Sequence, residues 1–212
     1  MPIQLKKYLF VTMHHLLHGA ILLSGVLVVI PAADVTSSSL MEIITMQQYE
    51  TSPDSVGVFP EVEGSNLNGQ KFRLPHDLEG RANIVLVAFQ REQQADIDTW
   101  MPTLDSLVQG QSDLFYYELP TISRMNPVIR WFITRGMRGG IDDPEARHRT
   151  ITLFIDKEPF REALNITHED TIYILLVDPQ GHVLWRTEGV YSDNKGRELR
   201  QAVLAVLRNS LK

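Results

Sequence analysis

The stretch that decides the fold is residues 82–94, which read Ala-Asn-Ile-Val-Leu-Val-Ala-Phe-Gln-Arg-Glu-Gln-Gln. Its apolar first half predicts a strand that is buried on both faces, and its polar second half predicts the start of a helix. The chain has 212 residues and contains no cysteine. Because no thiolate is available to cycle through a disulfide, thiol-based redox chemistry is excluded.

The segments on either side of this strand alternate between strand and helix. Upstream, Asn68-Gly69 lies between Leu67 and the alternating residues 71–74 and predicts a β-hairpin. Downstream, Pro102 is expected to kink or restart one helix, and Pro127 is expected to begin a second helix that ends at Gly139-Gly140. Further apolar and β-branched runs predict two more core strands and a closing hairpin, at 114–119, 150–155, 171–178 and 182–186. An amphipathic helix should follow from Lys195.

The predicted elements occur in the order strand, helix, strand, helix, strand, strand, helix, which is the order of the thioredoxin fold. We therefore expect an α/β protein with a thioredoxin-like, redoxin-type mixed sheet flanked by helices. The hairpin upstream of the buried strand and an N-terminal hydrophobic helix would be additions to that fold. Helical crossovers should make the first half of the sheet parallel, and the closing hairpin should be antiparallel.

The N-terminus predicts a segment directed to a membrane. Lys6 and Lys7 precede a run, 8–33, that carries no formal charge and is rich in Leu, Val and Ile. Its dense part has the length of a signal peptide, while the whole run approaches the length of a membrane span. We expect an uncleaved anchor that keeps the positive end cytoplasmic and places the domain on the extracytoplasmic side. Removal as a signal peptide is the alternative.

The chain is expected to divide into three parts. Residues 1–33 form the membrane anchor or signal segment, 34–58 form a linker rich in Ser, Thr, Gln and Asp, and 59–212 form the thioredoxin-like domain. If translation begins at Met41 or Met46, the product lacks the leader and is cytoplasmic.

Charge and motifs exclude several classes of function. The formal net charge is −6 and the isoelectric point is about 5.6, so we expect no nucleic-acid partner. The chain has no serine-centred elbow, phosphate loop or zinc pattern, and we expect neither a cofactor nor a metal. The acidic residues Glu92, Asp96 and Asp98 are explained by the helix dipole at the start of a helix.

Three segments, in this order and spacing, resemble the mitochondrial ATP synthase assembly factor family of the Atp-ten type. They are 85–89 with 98–100, then 138–141 with 147–148, and finally 173–178 with 181, 183–186 and 189. The leader departs from the Arg-rich presequence of mitochondrial import, which indicates a bacterial-type relative. The resemblance implies a membrane-associated chaperone without enzymatic turnover, whose hydrophobic membrane protein client would be a proton-channel subunit of ATP synthase.

Residues 126–138 provide a candidate binding surface, because apolar side chains alternate there with arginines. Apolar residues at 128, 129, 132 and 133 fit one buried face, while Trp131 is displaced from 129, 132 and 133 by about 100° to 200°. Trp131 is therefore either exposed, as in an interaction hot spot or at the headgroup layer of a membrane surface, or packed under a neighbouring loop. The candidate partner-binding residues are Arg130, Trp131, Arg135, Arg138 and Arg186.

A second class of function remains open. The chain would then be an enzyme on a redoxin scaffold, peroxidase-like or reductase-like, that uses residues other than cysteine. Peroxide turnover by the purified domain distinguishes the two classes.

Overall fold

A computed structural model describes residues 20–23, 26–29 and 57–209 of the chain. The chain falls into two units, 1–52 and 53–212. Most of the predicted anchor and the predicted linker, together with the alternative cleavage and start positions, lie outside the described residues.

The described part of the first unit is a pair of short strands. β1 (Ala20–Leu23) and β2 (Val26–Val29) pair antiparallel, with Ala20 opposite Val29. The hydrophobic helix predicted for this stretch is therefore not present in these eight residues. Three of the four residues in β2 are valine, whose β-branched side chain favours extended backbone. Among the residues that the structure describes, no helix combines the length and the apolar character needed to cross a membrane.

Within residues 57–209, seven strands form one mixed sheet in the order β4-β3-β7-β6-β5-β8-β9. Strands β5, β6 and β7 are parallel, whereas every other neighbouring pair is antiparallel. The parallel half and the antiparallel closing hairpin agree with the topology predicted from the sequence. The strands are β3 (Val62–Asn66), β4 (Lys71–Leu74), β5 (Ala82–Ala88), β6 (Leu114–Ser123), β7 (Ile151–Ile155), β8 (Tyr173–Val177) and β9 (Val183–Glu188).

Helices cover both faces of the sheet, and prolines begin several of them. A 3₁₀ turn (Arg91–Gln93) leads into α1, and Pro102 restarts the chain as α2, as the sequence predicts. Pro127 begins α3, which ends at Gly140. The helices are α1 (Gln94–Asp98), α2 (Met101–Val108), α3 (Pro127–Gly140), α4 (Pro144–Arg149), α5 (Lys157–Ala163) and α6 (Asp193–Asn209).

The core consists of two apolar layers separated by the sheet. All seven residues of β5 are buried, so this strand contributes to both layers. Val85 packs in the layer that contains Phe160 of α5. Leu86 packs in the opposite layer with Trp100, which precedes α2, and with Leu199 of α6. Residues 82–88 thus form the central strand that the apolar run 84–89 predicts.

The hairpin of β3 and β4 is joined tightly to β7. Gly64 of β3 lies opposite Leu153 of β7. A Cβ atom at Gly64 would lie 2.7 Å from side-chain atoms of both Ile151 and Leu153, so only glycine allows this close approach. The hairpin is thereby fixed beside α4 and the end of α3.

Candidate functional site

Helix α3 presents apolar side chains to solvent. None of its described residues is buried, and Val128, Ile129, Trp131 and Phe132 are 65%, 46%, 55% and 63% exposed. The buried face predicted at 128, 129, 132 and 133 is wrong for three of these residues, and Ile133 is only half-buried. Of the two placements open for Trp131, the structure shows the exposed one.

The opposite flank of α3 contacts the domain, which explains why the apolar side chains point outward. The Arg130 guanidinium lies 4.9 Å from the ring centroid of Phe154 on β7. The hydroxyl of Thr152 donates to the sulfur of Met137 at 3.9 Å. These contacts lie on one side of the helix and leave the other side uncovered.

Both ends of α3 are held by hydrogen bonds. At the start, the side chain of Asn126 accepts from the backbone N–H of Ile129 at 3.0 Å, which caps the helix. At the end, Nε of Arg147 donates to the carbonyl of Ile141 at 2.5 Å, and its Nη2 donates to the carbonyl of Arg138 at 3.2 Å. The helix is therefore fixed in position although it contributes little to the core.

The β3–β4 hairpin in turn positions α4, which carries Arg147. Asn66 is fully buried, and its Nδ2 donates to the carbonyl of His148 at 3.3 Å. The backbone N–H of Leu67 donates to the carbonyl of Arg147 at 3.1 Å. Hairpin, α4 and α3 thus form one connected structure around a shared groove.

Three of the predicted partner-binding residues meet in this groove. Trp131 and Phe132 pack edge to face with ring centroids 5.0 Å apart, and the Arg135 guanidinium lies 5.3 Å from the Trp131 ring. The groove has a volume of about 520 Å³. It is lined by Leu67, Gly69, Trp131, Thr134, Arg135, Arg138, Gly139 and Arg147.

The groove is basic although the chain as a whole is acidic. From 124 to 141 the sequence contains four arginines and no aspartate or glutamate, whereas the full chain has a net charge of −6. Among residues 57–209, no ion pair involves Arg135 or Arg138. The arrangement can therefore bind an apolar partner that carries a negative charge.

The other two predicted partner-binding residues, Arg130 and Arg186, do not line the groove. Arg130 faces the domain on the inner flank of α3. Arg186 is on β9, where its Nη1 donates to the carbonyl of Leu164 at 2.7 Å and its guanidinium lies 5.5 Å from the Tyr173 ring. Arg186 therefore stabilises the end of α5 and lies away from the groove.

At the end of β5, two glutamines take part in a connection that the sequence analysis did not identify. Gln93 is buried, and its Oε1 accepts from the backbone N–H groups of Phe89 at 2.8 Å and Gln90 at 3.1 Å. Nε2 of Gln93 donates to the carbonyl of Glu169 at 2.8 Å, and Nε2 of Gln90 donates to the same oxygen at 3.0 Å. We call Gln90, Gln93 and Glu169 the glutamine latch. A pair of glutamines three residues apart, directly after a buried strand, was the available signal.

Ion pairs close the glutamine latch on its outer side. The carboxylate of Glu169 accepts from Lys157 and, at 3.3 Å, from Arg161. The ammonium of Lys157 also lies 5.7 Å from the ring of Phe89. The polar groups at this end of the sheet therefore bond to one another.

Glu118 on β6 is the carboxylate whose environment is most perturbed. Burial raises its pKa, and the charge of Asp98 adds to this effect, while a hydrogen bond from Gln94 at 3.4 Å opposes it. Burial also raises the pKa of Tyr117 to about 12. In the part of the chain that the structure describes, no cluster of His, Asp or Glu residues could hold a metal ion.

Comparisons with known proteins bear on both family and fold. The family model described as "ATP10 protein" matches residues 52–205. No curated protein matches the chain. Among solved structures, an Aquifex aeolicus VF5 protein described as a "putative electron transfer protein" is similar at 12% identity, with 71% of this chain and 96% of that chain covered and a TM-score of 0.50.

The thioredoxin domain of a thiol-disulfide oxidoreductase from Bacteroides vulgatus also matches. It is 17% identical, with 71% of this chain and 98% of that chain covered and a TM-score of 0.45. At such identities only the fold is shared. Together with the strand order, the Aquifex protein shows that the domain has a thioredoxin-like, redoxin-type fold.

Proposed function

This chain belongs to the ATP10 protein family, the ATP synthase assembly factors, and we propose that it is a non-catalytic, membrane-tethered member that binds a hydrophobic membrane protein client through α3. The client is a subunit of the membrane sector of ATP synthase. The single observation that carries this proposal is the exposure of four large apolar side chains on one fixed helix.

An exposed apolar face costs free energy in water, and it is useful to a domain that binds a partner there. Large apolar side chains that lie together on a surface mark interaction sites more often than scattered ones do. Trp131 beside Arg135 has the composition of an interface hot spot. Because α3 is held at both ends, little ordering entropy opposes association with a client.

The end of β5 supports a function without turnover. The chain has no cysteine, and Gln93 is engaged there in three hydrogen bonds with the backbone. A substrate that approached this end would have to displace the glutamine latch.

The leader supports the membrane tether, because its uncharged run, 8–33, follows Lys6 and Lys7. A tethered domain would meet a membrane client at the bilayer surface.

Photo-crosslinking tests the proposal. A photoreactive phenylalanine analogue replaces Trp131 in the full chain, which is then expressed in membranes that contain ATP synthase. We expect an adduct with an integral membrane subunit of ATP synthase, identified by mass spectrometry. The matched control carries the probe at Val190, which is 48% exposed and lies outside α3.

Two results would overturn the proposal. In the first, the probes at 131 and 190 give the same adducts, so that α3 has no particular partner. In the second, the purified chain reduces hydrogen peroxide or a protein disulfide with multiple turnovers, which would favour the enzyme on a redoxin scaffold.

A further inference from the structure

The geometry points to a specific partner chemistry for α3, and this inference rests on the proposed function. We propose that α3 and its groove seat an apolar helix of the client that carries one carboxylate, and that Arg135 and Arg138 bind this carboxylate. The charge on the client, and not only its hydrophobicity, would then select it.

The outward face of α3 has two parts along its axis. At 100° per residue, Val128, Trp131, Phe132, Arg135 and Arg138 fall within a sector of about 120°. The apolar members lie in the first turns and the two arginines in the last turns. Since Phe132 and Arg138 are separated by about 9 Å along the axis at 1.5 Å per residue, a matching partner has an apolar anchor followed by a charged group about two turns away.

The two arginines are available to bind a carboxylate. Among residues 57–209 neither takes part in an ion pair, whereas the neighbouring Arg147 uses its donors on backbone carbonyls. The helix dipole accounts for an arginine in the last turn, such as Arg138, but not for Arg135. A guanidinium next to an apolar surface pairs strongly with a carboxylate, because it offers two parallel N–H donors.

The C-terminal half of α3 also allows a second helix to come close. A Cβ atom added at Gly136 or Gly139 would meet nothing within 4 Å, so the backbone is open to a partner there. Small residues at such positions let two helices approach more closely than larger ones do. A groove of about 520 Å³ beside this open backbone fits a rod-like partner better than a flat bilayer.

Binding of synthetic peptides tests the inference. The full chain in neutral detergent micelles is titrated with a fluorescent 20-residue Leu/Ala helix that carries a single Glu near one end, and with the same helix carrying Gln. We expect the Glu peptide to bind roughly tenfold more tightly, the gain of one charge-assisted contact. Arg135→Gln with Arg138→Gln should abolish this preference, so that the variant binds the Glu and Gln peptides with equal affinity.

The control variant removes two exposed arginines of α6, Arg200→Gln with Arg208→Gln, and so changes the net charge equally. It should keep the preference for Glu. Equal affinity for the two peptides, or the same loss in the control, would overturn the inference. Binding of α3 to vesicles of phosphatidylglycerol, without discrimination between the peptides, would overturn it in favour of an anionic membrane surface. In each case the adduct at position 131 still reports independently on the proposed function.

Discussion

The end of β5 and the outer face of α3 use their side chains in opposite ways. At the end of β5, the amides of Gln90 and Gln93 and the carboxylate of Glu169 all bond within the domain. On α3, Trp131 and Phe132 are more than half exposed, and no acidic residue within the described range 57–209 pairs with Arg135 or Arg138.

This difference indicates which contacts of each region contribute stabilising free energy. The glutamine latch stabilises the folded chain by itself, since its hydrogen bonds exist without a partner. The face of α3 contributes little until something covers it, after which each fully buried large apolar side chain contributes about 1.5–3 kcal/mol. The domain is thus closed by its own hydrogen bonds at the end of its central strand, while it leaves the outer face of the crossover helix α3 uncovered.

The largest expected effect is the difference in stability between alanine variants of two tryptophans. Trp100 is fully buried, and its indole N–H donates to the carbonyl of Gly189 at 3.0 Å. Replacement by alanine leaves a cavity, so Trp100→Ala should lower the free energy of unfolding by about 3–5 kcal/mol. Trp131→Ala should change it by less than about 0.5 kcal/mol, as expected for an exposed side chain. Urea titration followed by circular dichroism measures both.

If Trp100→Ala does not fold, Trp100→Phe provides the same comparison with a smaller cavity. A destabilisation by Trp131→Ala as large as that of either core variant would mean that α3 is part of the core. The contrast between the two regions would then be lost.

The sequence predicted the fold well because the fold depends on periodicity. The buried strand 82–88, the restart at Pro102 and the hairpin at Asn68-Gly69 each follow from a local pattern. Periodicity also shows which side chains of α3 share a face. It does not show whether another element covers that face, which is why Val128 and Phe132 were expected to be buried.

Two further features depended on distant contacts and could not be predicted. The acceptor for Gln93 is 76 residues away, at Glu169, and no spacing rule connects them. Arg186 was expected to bind a partner, whereas its guanidinium donates to carbonyls at the end of α5 that the sequence does not place nearby. The N-terminal helix stays a prediction, because most of its run lies outside the described residues, of which 20–23 and 26–29 pair as strands.

The second prediction tests whether the glutamine latch supports the domain. Gln93→Ala removes the side chain that satisfies the N–H groups of Phe89 and Gln90 and donates to Glu169. Because buried donors are left without a partner, the free energy of unfolding should fall by about 1–3 kcal/mol. The exposed Gln201→Ala on α6 serves as control and should change it by less than about 0.5 kcal/mol. Equal effects of Gln93→Ala and Gln201→Ala in urea titrations would mean that the glutamine latch does not stabilise the domain.

The smallest effect concerns Glu118, which lies on β6 beside Gln94 of α1. Burial raises its pKa, so folding disfavours the ionised carboxylate. The contribution of Glu118 to stability is therefore complete below the unfolded value of about 4.3 and is lost as the pH rises through the folded pKa. Since glutamine does not ionise, Glu118→Gln should be more stable than the wild type at pH 7.5, with a gain that shrinks towards pH 4.

Urea titrations at several pH values measure this gain. The exposed Glu92→Gln, in the 3₁₀ turn that precedes α1, is the matched control and should change the stability by less than about 0.5 kcal/mol at every pH. A gain for Glu118→Gln that is independent of pH would show that the amide improves packing or hydrogen bonding to Gln94. Burial of charge would then not be its cause, and the contrast between the sheet and the exposed face of α3 would not extend to Glu118.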